Sequence, residues 1–430
     1  MAAAPILARE IPVRATARWL VAHPGAVAVA CGIIARVAAY LADRPYWLDE
    51  GSLVGCIGDL GRTGLFGPLA ATQLAPPGFL LGEWGAISLL GDSRFAFRLI
   101  PLLAGIAALL LFRDLARRCL PPRVEWVAVA LFAASDDLIY FSTEVKQYSS
   151  DLALTLLLLA VAGRDARGPT SPRHGFGWAA LGAGVAWCSH PSVFTLAAIG
   201  AVGLLGAARA RDARRVVGWA LVGLAWVASV AAVHAVAMRQ LGHRRDMWAF
   251  WDFAFPPLPP RSPWDAAWPL RRAAYLFTNP LNFGLPLGGR WSGWPAVALA
   301  LVGARRLARV GPGRLALLLG PGGFALLAAY LRLYPFHGRL VLFAAPLLLI
   351  PVAAGFEAVG DRRWLRGVLL AWVLGGPVLV AGGHLVEPRG RDANPYGDRR
   401  PTSLDPYWFP LARPPGWPRV GAGSGRPGRE

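Results

Sequence analysis

Residues 24–50 read PGAVAVACGIIARVAAYLADRPYWLDE. An apolar run long enough to cross a bilayer core, which takes about 20 residues in a helix, ends in an aromatic pair and two adjacent carboxylates. The same grammar recurs along the chain. Of 430 residues, 55% are hydrophobic and 16% charged, and the apolar ones stand in blocks rather than in short amphipathic periods. That distribution excludes an ordinary soluble domain and predicts an all-α, polytopic transmembrane protein.

Positive charge collects between the blocks, at Arg113–Arg123, Arg164–Arg173, Arg209–Arg215, Arg305–Arg314 and Arg362–Arg366. The positive-inside rule places all five connections in the cytoplasm. The apolar segments then fall at 24–42, 95–112, 124–141, 149–163, 176–189, 191–207, 216–238, 294–304, 315–333, 340–358 and 367–385. These amount to about 11 membrane helices, several of them short. Segment 1–23 is a cytoplasmic N-terminal stretch whose Arg9, Arg14 and Arg18 resemble a signal peptide, but the following run is long and carries Arg36, so an uncleaved first helix is expected. Residues 24–385 form the membrane domain, and 386–430, rich in Pro, Gly and Arg, is expected to be a disordered tail.

The outer connections are 43–94, 142–148, 239–293 and 334–339. Within the first, Pro76–Leu90 is apolar but short, and is expected to lie along the interface. If it spanned, every later Arg-rich connection would face outward. The formal charge of +19 therefore reflects orientation, and no basic stripe interleaved with base-stacking aromatics points to nucleic acid. Cys31, Cys56, Cys119 and Cys188 show neither metal-ligand spacing nor an obvious pairing.

Unusual chemistry sits in the outer connections. Asp49 and Glu50 follow the first helix directly, although in isolation a solvated acid pair with Trp and Tyr anchors explains them equally well. Thr143-Glu144-Val145-Lys146-Gln147-Tyr148 puts an acid and a cation at a second membrane mouth, where a local ion pair is the plain alternative. Asp136 and Asp137 precede it without an assignable task. Tyr334-Pro335-Phe336-His337-Gly338-Arg339 is a tight turn ending in an outward arginine. Such a guanidinium suits a lipid phosphate, unless it merely snorkels to headgroups. His190 before Pro191 carries a weaker signal, and the basic residues His243, Arg244, Arg245, Arg271 and Arg272 could face lipid phosphates with low specificity.

Taken in order, YWLDE at 46–50, APPGFLLGEW at 75–84, GDSRFAFRLIP at 91–101, IYFSTEVKQYS at 139–149, SHPSVF at 189–194 and YPFHGRLVLFAAP at 334–346 resemble the GT-C superfamily of membrane glycosyltransferases. The resemblance is to the protein O-mannosyltransferase-like group, glycosyltransferase family 39, and covers roughly residues 20–385. It implies a polyprenyl-phosphate-linked sugar donor, a protein, lipid or glycan acceptor, and inversion at the anomeric carbon. It also implies a multi-pass protein of the inner (plasma) membrane whose active site faces the periplasm or cell exterior.

Under that resemblance Asp49 is the catalytic base, with Glu50 its partner and Glu144 a further acid of the catalytic set. Lys146, Gln147, Tyr148, Arg98, His190, His337 and Arg339 are the expected substrate-binding residues, with Arg339, Lys146 and Arg98 the cations for the departing phosphate. Lys146 stands where the family commonly has Arg, and Ala75 where it has His before the double proline. The sequence establishes no cofactor, and a divalent metal bridging Asp49 and Glu144 stays open. The competing readings are a non-catalytic lipid or glycolipid transporter, in which Asp49 would be dispensable, and a structural subunit of an envelope-assembly complex.

Overall fold

The computed structural model describes residues 22–46, 48–70, 73–165, 168–241, 250–283, 293–359 and 363–386. Nearly all of segment 1–23, all of 387–430 and the residues from His243 to Arg245 fall outside them. Among the described residues the chain is helical, without a strand.

The helices start and stop where the chemistry requires. Proline, whose missing N–H costs nothing in a first helical turn, opens α1 (Pro24–Leu41) and α3 (Pro77–Leu90). Between them lies α2 (Leu48–Gly58), with Asp49 and Glu50 in its first turn, where the helix dipole favours acids. The Ser93 hydroxyl accepts from the Ala96 N–H at 3.2 Å to cap α4 (Arg94–Cys119). That 26-residue helix ends on Arg117 and Arg118. There follow α5 (Pro122–Ala134), the short α6 (Asp136–Tyr140), α7 (Tyr148–Arg164) and α8 (Pro172–Cys188). Besides two single turns, Leu60–Thr63 and Pro263–Ala266, the remaining helices are α9 (Ser192–Arg209), α10 (Ala213–Leu241), α11 (Trp268–Thr278), α12 (Trp294–Val310), α13 (Pro312–Tyr330), α14 (Leu349–Ala358) and α15 (Arg363–Val386).

Among the described residues, six helices are long and apolar enough to cross a membrane: α1, α4, α9, α10, α13 and α15 from Trp364. A seventh crossing is formed if Asp136–Thr143 and Tyr148–Arg164, bent by 111° at the intervening residues, count as one. The protein is thus a multi-pass membrane protein. The eleven apolar segments fall largely on helical structure, but six or seven of them, not eleven, are long and apolar enough to cross among the described residues, and two segments differ further. The segment 124–141 is interrupted at Ser135, whose hydroxyl donates to the Pro280 carbonyl at 3.2 Å. The segment 340–358 begins as short 3-10 turns, Gly338–Val341 and Ala345–Leu348, before α14.

Packing is close where backbones meet. At the crossing of α12 and α14 a Cβ on Gly303 would overlap the Pro351 carbonyl, and one on Gly355 would overlap the Leu299 carbonyl. Small residues thus let these two helices touch through their main chains. Leu53, Ile57, Phe79, Leu80, Phe97 and Val145 form a buried cluster tying α2 and α3 to α4 and to the loop before α7. At the opposite ends of α4 and α7, Trp178, Trp219 and Trp226 pack with Leu158 and Ile199. The first cluster is the floor of the candidate site.

Candidate active site

Neighbouring residues on a helix point about 100° apart, so the first turn of α2 sends its two carboxylates to different surroundings. Glu50 turns inward and is fully buried. Arg98 from α4 grips it with two prongs, Nε to Oε1 at 2.9 Å and Nη2 to Oε2 at 3.0 Å. Arg44 donates to Oε2 at 3.2 Å, and the Val145 N–H donates to Oε1 at 3.1 Å. The remaining donors lock the backbone, with Arg98 Nη1 on the Arg44 carbonyl at 2.6 Å and Arg44 Nη2 on the Thr143 carbonyl at 2.9 Å. Tyr46 and Tyr140 lie under the Arg98 and Arg44 guanidiniums. This ion cluster staples α2, α4 and the 144–147 loop.

Asp49 turns the other way, its side chain 24% exposed. Lys146 Nζ lies 3.0 Å from Oδ1, which also accepts from Gln73 Nε2 at 3.0 Å. Lys146 donates in turn to Gln73 Oε1. Arg339 Nη1 lies 3.1 Å from Oδ2, its guanidinium 5.6 Å from the centre of the Tyr148 ring. Gly338, at φ +44°, makes the turn that delivers Arg339. Burial alone would raise the Asp49 pKa, but Lys146, Arg339 and the Gln73 hydrogen bond outweigh it and hold it at about 2. Burial lowers the pKa of the Lys146 ammonium, and Asp49 opposes that shift.

Glu144 sits fully buried in the bend before α7. Burial and then the charge of Glu50 push its pKa up to about 7, against the pull of Arg44, Arg339 and Lys146. It is therefore poised between neutral and ionised near physiological pH.

The expected site residues divide accordingly. Asp49, Lys146, Arg339 and Tyr148 converge, with Glu144 within their field. Gln147 stands aside, donating to the Leu74 carbonyl at 3.4 Å. Arg98, expected among the substrate-binding cations, has its donors committed to Glu50 and Arg44. His190 hydrogen-bonds the Ala75 backbone, and burial lowers its pKa to about 4. His337 is also neutral: burial first, then Arg272 and Arg339, bring its pKa to about 3. A guanidinium can only donate, so the 3.1 Å contact of Arg272 Nη1 with Nδ1 makes that nitrogen the acceptor. The His337 ring stacks on Tyr275 at 5.2 Å and meets Phe253 edge-on at 5.0 Å. Arg272, grouped in sequence with residues facing lipid phosphate, is instead 6% exposed and held by His337 and the Phe253 carbonyl.

Sequence reasoning missed Gln73 and Arg44. Arg44 left a usable signal, an arginine immediately after the first helix and six residues before Glu50. Gln73 left none, being one amide in a loop.

The donor set does not suit a divalent metal at Asp49. Each carboxylate oxygen already faces a fixed cation, and among the described residues no three His, Cys, Asp or Glu side chains gather as ligands.

No family model and no curated protein matches the sequence. Solved structures do. ArnT from Cupriavidus metallidurans bound to undecaprenyl phosphate superposes with a TM-score of 0.53 at 14% identity, over 84% of this chain and 64% of that one. The archaeal oligosaccharyltransferase AglB from Archaeoglobus fulgidus, in complex with an inhibitory peptide and a dolichol-phosphate, gives 0.52 at 12% identity, over 88% of this chain and 58% of that one. This chain therefore spans less than two thirds of the length of either. At such identities the likeness is one of architecture alone: the chain shares the fold of these membrane proteins.

Proposed function

We propose that the chain is an integral membrane glycosyltransferase moving a sugar from a polyprenyl-phosphate carrier to an acceptor hydroxyl on the outer face of the membrane. The observation that carries this is the seat of Asp49, a partly open carboxylate between two cations from separate segments, Lys146 at 3.0 Å and Arg339 at 3.1 Å. The structural likeness to proteins bound to undecaprenyl phosphate and dolichol-phosphate supports the choice of donor.

The bond between the anomeric carbon and phosphate breaks with its electron pair leaving on the phosphate, which is a stable anion without protonation. Acid catalysis at the leaving group is therefore dispensable, and one base suffices. The acceptor oxygen attacks the anomeric carbon from the face opposite the phosphate while its proton passes to Asp49, which inverts that centre. Lys146 and Arg339 stabilise the charge gathering on the phosphate.

A carboxylate at about 2 is a weak base, and this is where the shared cations matter. Donor phosphate draws Lys146 and Arg339 toward itself, which relaxes their hold on Asp49 and raises its basicity as the substrate arrives. Arg98, Glu50 and Arg44 act as positioning residues that fix the turn carrying Asp49.

The direct test is transfer from synthetic polyprenyl-phosphate hexoses and pentoses by the full chain in proteoliposomes. The expected product is a glycoside of inverted configuration. No transfer with any donor, together with carrier movement across the bilayer, would replace the enzyme with a transporter.

Glu144 supplies a pH prediction. Its folded pKa of about 7 lies above the ordinary 4.5, so between those values the folded protein binds more protons than the unfolded chain. The contribution of Glu144 to stability therefore falls as pH rises through that window, by at most about 3 kcal/mol. His190 and His337, neutral in the fold, act in the opposite direction below about 6.5. The measurement is thus a difference: thermal midpoints in detergent at pH 5 and 8, for the native chain and Glu144→Gln. The native chain is expected to lose more, or gain less, than the variant as pH rises. Parallel curves would show that Glu144 ionises normally.

A further inference from the structure

A cavity of about 480 Å³ lies among the ends of α4, α7 and α9 and the starts of α10 and α13. Arg98 and Tyr148 mark the candidate active site near the starts of α4 and α7, whereas Arg118 and Gly163 line this cavity near their ends. Along α4, Arg98 and Arg118 are separated by a rise of roughly 30 Å, about the thickness of a bilayer core. The two sites therefore belong to opposite ends of the bundle.

The lining is cationic and aromatic. Arg118, Arg215 and Arg314 contribute from α4, α10 and α13, and Trp178 and Trp219 form much of the wall. Asp165 also lines it, but its carboxylate is already used: Oδ2 accepts from Trp178 Nε1 at 2.7 Å and meets His174 Nε2 at 2.7 Å, while Oδ1 accepts from the Gly168 N–H at 3.1 Å. Arg118 is paired with Asp114 through two bonds, at 3.0 and 3.2 Å. Two polar atoms of the lining stay unsatisfied. Trp219 is only 4% exposed and its indole Nε1 has no hydrogen-bond partner among the described residues, and the same holds for the buried Nε of Arg215.

The space is built by small residues. The Trp219 ring lies against Gly168 and Gly203, and a Cβ at either position would overlap it. Gly206 and Gly313 extend the same lining. A cavity of this volume falls in the range of sites that enclose a small ligand. Guanidiniums with an indole donor suit an anion whose oxygens accept several hydrogen bonds, and basic pockets between membrane helices are of the kind that take lipid headgroups.

We infer that this cavity binds a phosphate-bearing anion, held by Arg215, Arg314 and the Trp219 N–H, separately from the transfer site. On the orientation that the arginine pattern implies, it opens to the cytoplasmic leaflet, where an anionic phospholipid presents a phosphodiester.

The test uses the full chain in detergent, with native mass spectrometry and thermal midpoints after addition of phosphatidylglycerol, phosphatidylcholine or inorganic phosphate. The native chain is expected to retain phosphatidylglycerol more tightly than phosphatidylcholine. Arg215→Ala/Arg314→Ala should weaken that retention at least tenfold, and Trp219→Phe, which keeps the ring and removes the donor, several-fold. Arg215→Lys/Arg314→Lys serves if the alanine pair does not fold, and should fall between the two. Arginine-dependent stabilisation by inorganic phosphate without lipid retention supports the anion site with a soluble source. Equal retention of both lipids with no response to phosphate, or equal behaviour of every variant and the native chain, overturns the assignment.

Discussion

Asp49→Asn is expected to lower the rate of sugar transfer about 100-fold or more, the scale lost when a positioned general base is removed. The substitution is nearly isosteric. Asparagine keeps one oxygen that can accept from Lys146 or Arg339, now 3.0 and 3.1 Å from the aspartate, so local packing is preserved while the proton acceptor is lost. The effect should fall on kcat. Removing the negative charge frees both cations for the donor phosphate, so KM for the donor should hold or decrease, a pattern that separates lost chemistry from lost binding. Thermal midpoints at matched expression verify the fold. Equal turnover in the two proteins would remove Asp49 as the base, and a raised KM at unchanged kcat would make it a binding group instead.

Why the charged partners carry such weight is visible in where they come from. Asp49, Lys146 and Arg339 belong to three widely separated segments, each of which admits a plain local explanation when read alone. Their convergence follows from packing: the α2–α3 cluster under Asp49, the bend before α7 that turns Lys146 inward, and the Gly338 turn that presents Arg339. Apolar blocks and arginine-rich connections made the bundle legible, because bilayer thickness and orientation act on every residue of a span. Helix α2 was not legible in the same way. Its residues carry no amphipathic signal strong enough to distinguish a helix from an aromatic-rich loop, and what holds it is tertiary, the clamp on Glu50 and the packing of Leu53 and Ile57.

The resemblance names residues, not the partners that each of them meets in the fold. It placed Arg98 beside the phosphate, whereas the guanidinium is spent on Glu50. A cation between two apolar turns of a helix reads identically in sequence whether it meets a ligand or an internal carboxylate. Only the three-dimensional position of Glu50, set by the direction in which α2 leaves Pro45 and Tyr46, distinguishes the two. Gln73 is a parallel case, since an amide bridging Asp49 and Lys146 has no preferred spacing from either.

The distinction can be measured. Arg98→Met should destabilise the protein by roughly 3–5 kcal/mol, because it strands the buried Glu50 carboxylate with Arg44 and one backbone N–H. Glu50→Leu alone should cost a similar amount by stranding Arg98, whose side chain is 2% exposed. The double variant Arg98→Met/Glu50→Leu should recover part of that loss, since neither member of the Arg98–Glu50 pair is then left without the other, while Arg44 loses Glu50 and keeps the Thr143 carbonyl. Additive single effects would instead mean that the two side chains act independently. Transfer by Arg98→Met should also fall, since releasing α2 displaces Asp49, and the double variant should regain stability before it regains rate. A cation that served the donor phosphate directly would behave otherwise, raising KM while leaving the thermal midpoint and the Glu50 coupling untouched. Stability and KM therefore move on opposite sides of the question, and the sign of each decides whether Arg98 builds the site or works in it.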